Sequence, residues 1–152
     1  VTIPGSVTVL GKSAFSGCVK ASGFSTFILP HSIEYLSEAE KGMILPEIMA
    51  GRSTIISASK SKVVNKRTRD VSYRYLAAIL DCLIVPQLSF DDDVINLVIN
   101  CLMLKKPVFF IRYTRKGNEY DCESGLLPLG LKYLSSRTAL YHVSKAIGLP
   151  EN

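Results

Sequence analysis

Short apolar runs alternate with longer amphipathic stretches along the chain. Residues 7–10 (VTVL), 24–29 (FSTFIL), 53–57 (STIIS), 82–85 (CLIV), 107–111 (PVFFI) and 131–134 (LKYL) are brief and rich in β-branched or aromatic residues. Several stop at a Gly or Pro, at Gly11, Pro30 and Pro86. That pattern predicts strands. Between them, 13–22, 36–49, 70–80, 94–104, 124–130 and 136–147 predict helices. In 70–80 the apolar positions are Val71, Tyr75, Ala78 and Ile79, a helical spacing. Pro46 is expected to interrupt or kink its helix. Residues 89–93 supply cap residues to the next helix, and Lys105 and Lys106 place cations in its last turn, where the dipole favours them. Residues 58–69 and 112–123 read as loops.

Strands alternating with helices predict βαβ units with right-handed crossovers. The expected fold is α/β, a doubly wound, mainly parallel sheet of five to six strands, Rossmann-like and buried on both faces. At 152 residues one domain spanning 1–152 is expected. Ligands in such sheets sit beyond the carboxyl ends of the strands. Here that rim is 11–13, 30–32, 57–62 and 86–92. If the strands all run the same way, Lys12, His31 and the Arg-rich segment gather at one electropositive mouth.

Composition narrows the class. With 47% apolar and 20% charged residues the chain can bury a core and is not of the disordered type. No apolar run reaches the roughly 18 residues of a spanning helix, and no signal-peptide pattern opens the sequence. A start at Val1 reads as trimmed or processed. Cys18, Cys82, Cys101 and Cys122 are widely spaced, with no CxxC pair and no N-x-[ST] sequon, which predicts free thiols in a reducing cytoplasm.

The net charge of +5 is local. Lys60, Lys62, Lys66, Arg67, Arg69 and Arg74 face only Asp70 within 60–74, so that segment carries the whole imbalance. Such a cluster suits a polyanion or phosphate, or is a solvated loop with a few salt bridges. Gly11, Lys12 and Ser13, with Ser16, read as a strand-to-helix turn, either a plain tight turn or one whose free N–H groups hold an anion. They do not form a P-loop, because Ser6 stands where its first Gly belongs. His31 ends the second strand as an exposed loop residue able to donate to a phosphate. Arg74 opens the apolar part of its helix, where a cation opposes the dipole unless an anion is present. Tyr73 and Tyr75 flank it and offer a stacking surface, with one of the two facing the core. Asp91, Asp92 and Asp93 read as a helix cap in preference to a Mg²⁺ site, and His142 as a surface or interface residue. No nucleophile elbow, carboxylate pair or metal-ligand cluster occurs. Neither catalysis nor a cofactor nor a metal is expected.

Several segments taken in order resemble one family. Residues 23–36 (GFSTFILPHSIEYL) are similar to a glycine, strand and G-x-D/E-x-x-Y turn; 72–85 (SYRYLAAILDCLIV) resemble R-N-R-I-I-A-x-L-S-D-x-x-x-V; 124–134 (SGLLPLGLKYL) resemble a closing G-x-x-x-L-I-x-x-G-A. The patterns they resemble are those of the Rossmann-like domain of the DNA-processing protein A (Smf) family, within the wider LOG-related nucleotide-binding group. The resemblance runs over about residues 7–147. Of the family's R-N-R only Arg74 is kept, Asp92, Asp93 and Val94 replace a Ser-Gly-Ser turn, and the family's opening strand with its G-S/T-R signature has no counterpart. The resemblance implies a non-enzymatic single-stranded-DNA-binding module of recombination-mediator type, acting in DNA uptake with a recombinase partner. Lys60, Lys62, Arg67 and Arg69 would contact phosphates, and Tyr73 and Arg74 would line the pocket. The alternatives are a domain binding a nucleotide or other phosphate ligand, and a degenerate domain kept for protein–protein contact. LOG-like phosphoribohydrolase activity is not expected, because residues 86–93 lack the P-G-G-x-G-T-x-x-E pattern. A homodimer is a further candidate assembly.

Overall fold

A computed structural model describes residues 2–4, 9–85, 94–111, 124–135 and 137–149, with backbone alone for 2–4 and 9–12. The order is β1 (Thr2–Pro4), α1 (Val9–Lys20), β2 (Ser25–Leu29), a 3-10 turn at Ile33–Tyr35, α2 (Glu38–Met49), β3 (Ser53–Ser57) and α3 (Lys66–Ile79). Then come β4 (Leu83–Val85), α4 (Val94–Met103), β5 (Val108–Ile111), a 3-10 turn at Ser124–Leu129, β6 (Leu131–Leu134) and α5 (Ala139–Ala146). The chain divides into two compact units, Val1–Leu76 and Ala77–Asn152.

Among the described residues every strand pairing is parallel, as the continuous apolar runs predict. The strands do not form one sheet of five or six, however. They make two three-stranded sheets, of order β1-β2-β3 and β4-β5-β6. An apolar run tells that a strand is buried but not which strand it pairs with, so the sequence could not set the sheet count.

In the first unit β2 is the middle strand. Phe27 and Leu29 project from one face and Ile28 from the other, and all three are buried. Phe27 and Leu29 pack with Phe15 of α1, Leu36 and Ile44 of α2, and Val19, Met43, Ile48 and Ile55 close the cluster. Helix α2 opens on a capping box: Ser37 N–H donates to Glu40 Oε2 at 2.8 Å, and Glu40 N–H donates to Ser37 Oγ at 3.3 Å. It runs on through Pro46 to Met49 rather than breaking. One N–H is missing there, but Ile44 and Ile48 hold the segment onto the core on both sides. In the second unit β5 is central, and Val108, Phe109 and Phe110 are buried. Lys106 reaches back to the end of α3, where its Nζ donates to the carbonyls of Ala78 at 2.7 Å and Leu80 at 2.5 Å. A cation at that helix terminus complements its dipole.

Two boundary expectations are corrected. The strand expected at 7–10 is absent where it can be seen, because α1 already begins at Val9 and the opening strand is Thr2–Pro4. Pro4 and Gly5 punctuate the chain earlier than Gly11 does, and a Val costs a helix only about 0.5 kcal/mol, which packing of Phe15 and Cys18 overrides. The basic loop expected over 58–69 ends sooner, because α3 begins at Lys66. The expected loop at 112–123, the Asp91 to Asp93 cap, the 86–92 rim and Cys122 lie outside the described residues.

Candidate functional site

Parallel pairing of β2 with β3 brings their carboxyl ends side by side, with Leu29 opposite Ser57. The two following segments are then tied together. Ala58 N–H donates to Leu29 O at 3.0 Å, Ser57 Oγ to His31 O at 2.8 Å, and Ser32 N–H to Ser61 O at 2.9 Å. The segment after β3 also bonds to itself: Ser61 N–H donates to Ser59 Oγ, and Val63 N–H to Ser61 Oγ. Such serine turns occupy the backbone polar groups locally. Lys60 and Lys62 are left exposed on the loop.

The loop ends at the N-terminus of α3. Asn65 caps it, with Oδ1 accepting from Thr68 N–H at 3.0 Å and Asn65 N–H donating to Thr68 Oγ1 at 3.0 Å. The sequence reading passed over this Asn-x-x-Thr cap because the basic residues around it read as loop. A cleft of about 380 Å³ opens here, lined by Ala58, Ser59, Ser61, Asn65, Arg67, Thr68 and Val71. Its polar groups are hydroxyls, an amide and a guanidinium, and no carboxylate of the described residues lines it. The first turn of α3 holds Lys66 and Arg67. Cations there oppose the helix dipole, and its N-terminal N–H groups add to the same positive field. Among the described residues Lys60, Lys62, Lys66, Arg67 and Arg74 form no ion pair. Asp70, the one acid in the segment, is half-buried and is not part of the lining.

The expected site residues separate into groups. Arg67 lines the cleft, and Lys60 and Lys62 flank it. Arg74 is exposed but stands in the middle of α3, two turns from Arg67, so the argument from an opposed dipole passes from Arg74 to Lys66 and Arg67. Arg69 is exposed, and its position two residues from Arg67 turns it roughly 200° around the axis. Tyr73 presents no open stacking surface. It is only 7% exposed and shares the inward face of α3 with Ser72, Leu76 and Ala77, while Tyr75 is exposed. His31 is likewise buried, at 7%, rather than an exposed loop residue. Its Nδ1 lies 2.9 Å from Ser32 O, and since a carbonyl only accepts, Nδ1 carries the proton. Gly11, Lys12 and Ser13 are not a turn but lie inside α1, with Ser13 exposed and the side chains of the other two outside the described set. His142 is exposed on α5 against Tyr141, as expected.

Comparison with family models and with curated proteins gives no match to this chain. The site therefore rests on its own chemistry. Burial pushes the Cys82 thiol up, with Asp81 adding to the shift, and burial also pushes Cys101 up against a smaller opposing effect of Lys106. Neither is an activated nucleophile. Among the described residues no group of three His, Cys, Asp or Glu side chains could hold a metal ion, and no helix is long and apolar enough to cross a membrane. What the cleft can do is bind an anion.

Proposed function

We propose that the chain is a non-enzymatic module that binds single-stranded DNA, with the strand's phosphates held at the cleft between the 57–62 loop and α3. The observation that carries this is the cleft at the capped N-terminus of α3, free of carboxylates among the described residues, with Arg67 in its wall and Lys60, Lys62 and Lys66 around it. Cations that destabilise the first turn of a helix are compensated when an anion sits there. The wider reading, a doubly wound Rossmann-like domain related to the Smf family with a recombinase as partner, belongs to the same proposal. It is supported by the βαβαβ order of β1 to β3 in the first unit.

Binding of a labelled thymidine oligomer, followed by anisotropy across a salt series, tests it. With Lys60, Lys62 and Arg67 on phosphates, the logarithm of the affinity falls with the logarithm of salt at a slope near −2, about −0.7 per contact on a single strand. Arg67→Ala is expected to weaken binding and flatten the slope by about 0.7. Affinity that stays constant from low to moderate salt overturns the proposal.

A further inference from the structure

We propose that Tyr35 is the base-stacking platform of this site, so that the bound strand is recognised through its nucleobases as well as its phosphates. The inference rests on the phosphate reading above and adds the residue that gives it chemical selectivity. Tyr35 closes the 3-10 turn that follows β2, and its side chain is 45% exposed although the next residue, Leu36, is buried. Lys62 Nζ lies 5.5 Å from the centre of its ring. Lys62 directly follows Ser61, which lines the cleft and whose carbonyl accepts from Ser32 N–H. Tyr35 N–H in turn donates to Ser32 O at 3.1 Å. The turn that carries Tyr35 is thus tied by backbone bonds to the loop that carries Lys62, whose ammonium stands over one face of the ring.

The chemistry is selective in a way that Lys and Arg alone are not. Every base has a π-face, so a half-exposed aromatic ring beside a cation takes a base while the ammonium takes the adjoining phosphate. A plain phosphate has no use for the ring. The two tyrosines that the sequence offered are poorer candidates: Tyr73 is buried, and Tyr75 lies two turns or more from the start of α3. Glu34, exposed beside Tyr35, is the one acid on the turn and sets a limit on phosphate density there.

Three ligands separate this inference from the reading beneath it: a thymidine oligomer, an abasic oligomer of equal length, and thymidine monophosphate. Tyr35→Ala is expected to weaken the thymidine oligomer about tenfold, within the usual range for one lost stack, and to leave the abasic oligomer unchanged. Tyr35→Phe keeps wild-type affinity, and Tyr75→Ala, the exposed-tyrosine control, changes nothing. Photo-crosslinking with 5-iododeoxyuridine in the oligomer is expected to label Tyr35. Equal losses on both oligomers, or none on either, overturn the stacking role while phosphate binding stands. Monophosphate binding as tight as the oligomer overturns the strand and assigns the platform to a nucleotide. If wild-type protein binds neither oligomer, the phosphate reading fails and the platform with it.

Discussion

The two units follow one plan and spend it differently. Each has a parallel sheet of three strands with a buried middle strand. Each middle strand carries a Phe with an edge-on aromatic partner: Phe27 with Phe15 at 5.2 Å, and Phe110 with Tyr133 at 6.2 Å. Their charges do not match. Residues 1–76 hold ten Lys and Arg against five Asp and Glu, whereas 77–152 hold eight against eight. The excess sits between β3 and the middle of α3, outside the pleat. Shared architecture thus says little about the role of either unit, and the chemistry lives on the connection between two elements.

The comparison is sharpest at the middle strands. Phe27→Ala and Phe110→Ala each remove a fully buried ring and are expected to cost about 3–5 kcal/mol. Thermal melts would read each as a loss of about 10 °C, since 1 kcal/mol shifts a chain of this size by about 2–4 °C. If the chain is one domain, each variant melts in a single transition. A loss below about 1 kcal/mol at either position breaks the symmetry and marks that sheet as peripheral.

Helix ends give a smaller contrast, of opposite sign. Helix α2 closes in a Schellman motif, with Gly51 N–H donating to Ile48 O and Arg52 N–H to Glu47 O. Gly51 adopts φ +69°, the left-handed region that glycine tolerates. Helix α4 closes in the same way, through Lys105 N–H to Leu102 O and Lys106 N–H to Cys101 O, but Lys105 occupies the left-handed position at φ 56°. Gly51→Ala is expected to destabilise by about 1 kcal/mol and Lys105→Gly to stabilise by up to about 1 kcal/mol. Urea denaturation midpoints decide it, and equal signs for the two changes would remove the contrast.

Lys105 also shows where the sequence is legible and where it is not. Residues 53–57 and 131–134 were readable as strands to the residue, because β-branched or alternating apolar runs have few other uses. The parallel direction followed from the same runs. Lys105 and Lys106 read only as dipole cations, because a left-handed backbone at a lysine leaves no mark in composition. At the site the cations were readable as a cluster, and so was the rim at 57–62. Which of Arg67, Arg69 and Arg74 faces the cleft depends on the start of α3, and a shift from Asp70 to Lys66 moves that start by four residues. Tyr73 turns inward because the buried face of α3 runs through Thr68, Ser72, Tyr73, Leu76 and Ala77, while the expected apolar face of Val71, Tyr75, Ala78 and Ile79 is exposed. Tyr35 escaped notice because its importance comes from Lys62, which is distant in sequence and near only through the β2–β3 pairing.

The charge contrast has one more consequence inside the first unit. Two ion pairs stand away from the cleft there: Lys41 with Glu38 at 2.7 Å, and Arg52 with Glu47 at 2.8 Å. The hydrogen bond from Arg52, more than its charge, holds the Glu47 carboxyl below its ordinary range. A carboxyl whose pKa is lower in the folded state than in the unfolded chain stabilises the fold above its unfolded pKa, and the contribution fades as pH falls through the folded value. The melting-temperature difference between wild type and Glu47→Gln is therefore expected to be small but present at neutral pH, since an exposed pair contributes little. It should close at pH values below the ordinary carboxylate range. A difference that persists unchanged into acid would mean that the Gln acts through the Schellman turn of α2 and not through the ion pair. The Glu47–Arg52 pair would then have no part in setting the field around Lys66 and Arg67.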